Sequence, residues 1–111
     1  MSYIDEQVRQ FALFRIAKIF NVSVDSLRME SSFGDDLKAS SVSGWFKKNE
    51  HDQIEADIYD VADRQAYKEI TSGRLMVRTV GEYCDHMVRS YKTKSEDVKH
   101  VLKMSNCSAA G

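Results

Sequence analysis

The sequence predicts an all-α domain of three main helices, a minor segment between the second and third, and a short C-terminal helix. The 111 residues contain no proline, and glycine takes only five positions, which suits helices joined by polar loops better than turn-dense β structure. Apolar side chains also recur at steps of three and four through most of the chain, the spacing of one helical face.

Val8, Phe11, Ala12, Ile16, Ile19 and Phe20 form the first such stripe, which runs out near Asn21. Leu13 and Phe14 fall off it and must be either partly exposed or covered by another segment. From Asn21 to Ser32 the chain reads as a polar loop in which Val22, Val24 and Leu27 tuck under the first helix. Asp52 is placed as an N-cap with Glu55 at the capping-box spacing, opening a helix that runs through Ile54, Ile58, Val61 and Ala62. A weaker apolar segment spans Leu75 to Val77. Val80, Tyr83, Cys84, Met87, Val88 and Tyr91 then make another full stripe. Beyond it, Ser95 is expected to cap a short helix with Glu96 and Asp97 in its first turn and Val98, Val101 and Leu102 inside. This tail helix is expected to pack on the outside of the first helix, over Leu13 and Phe14.

The length fits one core. With 16 basic and 17 acidic side chains and a formal net charge of -1, the chain lacks the basic excess of a nucleic-acid binder. No apolar stretch approaches the roughly 20 residues of a membrane span. Asp5 and Glu6 stand where a signal peptide would be basic and then apolar, so a cytoplasmic protein is expected. Cys84, on an apolar stripe, and Cys107, in a polar tail, do not suggest a disulfide framework.

No catalytic constellation emerges. His51, His86 and His100 have no companion ligands at metal-binding spacing. Cys84 and His86, two residues apart, would point to different sides of a helix. There is no phosphate-cradling glycine loop and no nucleophile elbow, so no enzyme is expected.

Two local features stand out. Asp52, Glu55, Asp57, Asp60 and Asp63 place five carboxylates in a stretch without a basic residue, which is either an ordinary solvated helix face or a surface that steers basic partners. Trp45 and Phe46, beside Lys47 and Lys48, are large aromatics in a polar segment, where exposure to water is costly. They would either cap the open end of the bundle or form a partner-binding hot spot.

The order of elements, and the run SSFGDDLKASSV from Ser31 to Val42, resemble the acyl carrier proteins. Where that family reads DLGADSL, this chain reads DLKASSV from Asp36 to Val42, with Ser41 in the place of the modified serine. Lys38 replaces the glycine, Ser40 the aspartate and Val42 the leucine. Downstream, Glu69–Ile70 and Thr79–Val80 align in a second register, in which DQIE at Asp52 to Glu55 occupies the place of DSLD and Gln53 replaces the serine. An insertion at about residues 38–51 reconciles the two registers. The self-contained helix from Asp52 favours the second, since Ser43–Gly44 is a poor helix interior.

The resemblance implies a four-helix bundle with a short third helix over residues 1–91, followed at 92–111 by an extension made of a short helix and a disordered tail. It also implies that a serine hydroxyl receives 4'-phosphopantetheine from coenzyme A through a magnesium-dependent phosphopantetheinyl transferase. The arm's thiol would then present an acyl group to acyl-transferring or chain-building enzymes of fatty acid or polyketide biosynthesis, which dock on the acidic second helix through basic patches. Glutamine has no hydroxyl to form the phosphodiester. Two functions follow: a carrier armed at Ser41, or a carrier-like binding module without the arm. The near-neutral total departs from the acidic balance usual in the family, since Arg64 to Met104 hold nine basic and five acidic side chains.

Overall fold

Helical periodicity without proline becomes five α-helices in the computed structural model, which describes residues 3–33 and 50–104. They are α1 (Tyr3–Phe20), α2 (Glu50–Val61), α3 (Arg64–Thr71), α4 (Val80–Tyr91) and α5 (Ser95–Leu102), with a single 3-10 turn at Val24–Ser26. Ser41, Trp45, Phe46 and Cys107 lie outside the described residues. Among those residues there is no strand, apart from one isolated bridge between Ser32 and Thr79, and no helix is long and apolar enough to cross a membrane.

Three of the helices stop in the same way. After α1, Asn21 takes φ 56, and the Val22 and Asn21 amides donate to the Ala17 and Lys18 carbonyls. Gly73 with φ 82 ends α3, and Lys103 with φ 55 ends α5, each with the same pair of backbone bonds. This left-handed closure satisfies carbonyls that a helix end leaves unpaired. Asn and Gly accept the conformation readily, Lys less so.

The core is organised by α4. Val80, Tyr83, Cys84 and Met87 are fully buried on it and pack with Val8, Ala12 and Ile16 of α1, while Ile54, Ile58 and Val61 come from α2. A true capping box starts α4: Thr79 Oγ1 accepts from the Glu82 amide, and Glu82 Oε1 accepts from the Thr79 amide. Gly81 lets the loop pass close by. Its amide donates to the Met29 carbonyl at 2.8 Å, and a Cβ there would come within 3.0 Å of the same oxygen.

Several expectations are corrected. The minor helix is α3, not Leu75–Val77, because Asp63 caps it by accepting from the Ala66 amide at 2.8 Å and Gly73 closes it; Leu75–Val77 is irregular. Glu50 and His51 are already helical, so Asp52 sits in the first turn of α2 and is not its cap. Ser95 is the first residue of α5; Lys94 precedes it without a side-chain cap. Leu27 packs against the core as expected, whereas Val22 is exposed.

The C-terminal helix joins the main core. Val98, Val101 and Leu102 are buried in the same cluster as α1 and α4, and α5 packs on α1, α2 and α4. Leu13 is half-buried against that core, but Phe14 remains 46% exposed, its ring edge-on to Phe11 at 6.2 Å.

The Ser90 hydroxyl on α4 is buried without a hydrogen-bond partner. Since an unsatisfied buried hydroxyl is destabilising and Ala is the better helix former, Ser90→Ala should raise stability by about 1 kcal/mol. Urea unfolding would read this as a higher midpoint at unchanged slope.

Candidate functional site

The acidic stretch divides once it is folded. Asp52, Glu55 and Asp60 are exposed on α2. Asp57 is not part of that face, because it falls in phase with Ile54, Ile58 and Val61 and turns inward, leaving the residue 4% exposed. Arg15 of α1 grips it with two bonds, Nε to Oδ2 at 2.9 Å and Nη2 to Oδ1 at 3.0 Å, and the buried Tyr83 hydroxyl donates to Oδ2 at 2.8 Å. One carboxylate thus ties α2 to α1 and α4. The hydrogen bond to Asp57, ahead of its charge, holds the Arg15 guanidinium above its ordinary pKa. Burial, reinforced by the Asp57 charge, pushes the Tyr83 hydroxyl well up.

Asp63 is likewise engaged in structure. Besides capping α3 it accepts from Thr93 Oγ1 at 2.8 Å. The Ala66 amide first, and then Thr93, keep its carboxyl below the ordinary value. Gln53, the residue at the serine position of the second register, lies in the first turn of α2 and is half-buried.

Beside the acidic face, α2, α3 and the segment 73–78 enclose a cleft of about 450 Å³. Its apolar lining comes from Phe33, Ile54, Ile58, Ile70, Leu75 and Val77, with Asp52, Glu55 and Arg78 also on its walls. Tyr59, another lining residue, meets Tyr67 edge-on at 5.8 Å, and both rings are exposed. The α3 wall is fixed to α4 by Glu69, whose two carboxylate oxygens take Arg89 at 2.7 and 2.9 Å. That bidentate bond, with a further one from Gln65, draws the Glu69 carboxyl down to about 2.

The cleft can take an apolar chain, and the acidic α2 surface can meet a cation. Sequence reasoning picked out the Leu75–Val77 wall but took it for a helix, and missed that α3 turns this segment back against α2. The one signal available was Asp63 followed by Gly73 at helix-length spacing. Cys84 is a buried core residue whose thiol burial pushes up to about 11, unlike a reactive thiolate. Among the described residues no three His, Cys, Asp or Glu side chains are grouped to hold a metal ion.

No protein-family model matches the chain, and no curated protein or solved structure is significantly similar to it.

Proposed function

We propose that the protein is a cytoplasmic carrier-like module, not itself an enzyme, that presents a phosphopantetheine-tethered acyl group to partner enzymes. The observation that carries this reading is the apolar cleft between α2 and the segment 73–78, with Ile70 of α3 and Phe33 completing it and Asp52 and Glu55 on its wall. Such a cleft suits a hydrocarbon chain. Asp52, Glu55 and Asp60 would meet basic docking patches, an interaction that weakens with salt. Ser41 would carry the arm, and the arm's thiol would supply the thioester. In the chain, Ser41 falls between Phe33 and His51, both of which line the cleft.

A second reading, a carrier fold that works by binding alone, is favoured by Gln53 in the first turn of α2. There the resemblance puts the modified serine, and an amide side chain cannot form the phosphodiester.

The test is mass spectrometry of the intact protein after incubation with coenzyme A, magnesium and a broad-specificity phosphopantetheinyl transferase. A phosphopantetheine mass gain that disappears in Ser41→Ala is the expected result. No gain with this or other transferases would sink the carrier reading in favour of the binding module.

A further inference from the structure

His86 sits on α4 with only 3% of its surface exposed. Its Nε2 lies 2.9 Å from the Ile58 carbonyl oxygen. That carbonyl is among the last four of α2, which have no amide of their own helix to accept from, and the Ala62 amide donates to Tyr59 instead. A carbonyl only accepts, so the bond requires hydrogen on Nε2 and leaves the neutral ring with its lone pair on Nδ1. Nδ1 is buried and has no partner. A second proton would have to go there.

The carboxylates around it are engaged elsewhere, and of these Asp63 favours the charged ring. On α4, Glu82 and Asp85 line a small cavity of about 160 Å³ that His86 also lines. Glu82 Oε1 takes the Arg78 and Thr79 amides, and Asp85 is paired with Arg9 of α1 at 2.7 Å. Asp57 on α2 is held by Arg15 and Tyr83. Asp63, between α2 and α3, is held by Ala66 and Thr93, and Glu69 on α3 is held by Arg89. Arg89 lines the same small cavity and opposes a new positive charge.

We propose that His86 is an acid-sensitive pin, whose protonation frees the C-terminal turn of α2 from α4 and so opens the cleft that α2 walls. The inference rests on the described fold and not on the carrier reading. Burial first, with Arg89 adding to it, depresses the His86 pKa below its ordinary value, while the bond to Ile58 and the Asp63 charge work the other way. The closed state therefore refuses a proton that the opened state accepts. Closure is complete above the ordinary histidine range near 6.5 and is lost as pH falls through the depressed value. An opening confined to this turn gives up the His86 contact and the packing of Ile58 and Val61 while Asp57 stays on Arg15 and Tyr83, so it is local and not global unfolding.

The experiment follows the His86 ring by NMR in the intact protein from about pH 7.5 to about pH 5, together with amide exchange across α2 corrected for intrinsic rates. The expected result is a His86 titration below the ordinary value, with α2 protection falling about tenfold relative to α1. His86→Gln keeps an N–H donor for Ile58 but cannot take the proton, so its α2 protection should stay flat. A ring that titrates at or above the ordinary value, or α2 protection in the native protein that does not change with pH, overturns the proposal. So does an equal loss in His86→Gln. If that variant does not fold, the two native-protein readings still decide.

Discussion

Replacing Asp57 with Ala is expected to lower folding stability by about 3–5 kcal/mol, the range for removing one partner of a buried ion pair. The variant leaves the Arg15 guanidinium, bound through both Nε and Nη2, without its counter-charge, and the buried Tyr83 hydroxyl without its acceptor. Most of the loss comes from those stranded groups, since a buried pair contributes little net stability over an apolar substitute. Replacing Arg15 with Met and Asp57 with Leu together should therefore recover much of it. Asp60, exposed on the same helix, provides the contrast: Asp60→Ala should stay within about 0.5 kcal/mol. Urea unfolding of the four proteins is the measurement. Equal, small effects at both positions would return Asp57 to the solvated acidic face.

Asp57 also marks where the sequence was legible and where it was not. The α1 and α4 stripes could be read because each is a run of apolar residues in one phase, and the left-handed Asn21 lies where the first stripe stops. Counting carboxylates along α2 discards phase. Asp57 is three residues after Ile54 and four before Val61, a core position, and that spacing was visible. What was not visible was that Arg15, 42 residues away, would neutralise it. α3 escaped for a related reason: most of it is polar, and its place depends on Asp63 and on the distant pair of Glu69 with Arg89. The cleft could not be anticipated while Leu75–Val77, one of its walls, was read as the minor helix. His86 and Ser90 are buried beside the apolar stripe of α4, because α1, α2 and α5 all pack on this helix and widen its inward arc.

Ending the chain after Lys92 is expected to abolish cooperative folding at 25 °C or to lower the melting temperature severely. The truncation removes Val98, Val101 and Leu102 from the main core. Each such side chain contributes about 1.5–3 kcal/mol on burial, and a small domain has only about 5–15 kcal/mol in total. It also exposes the faces of α1, α2 and α4 against which α5 packs, and deletes Thr93, a donor to the Asp63 cap. A full truncation could act by aggregation alone, so Leu102→Ala is the sharper version. One buried leucine shortened within the helix should cost about 2–5 kcal/mol, depending on how far the site collapses around the cavity. Thermal melts followed by circular dichroism at two protein concentrations separate unfolding from association. If both proteins melted like the full chain, α5 would be an appendage and the core would be complete at Tyr91. The full burial of Val98, on a helix that packs against three others, argues for the opposite result.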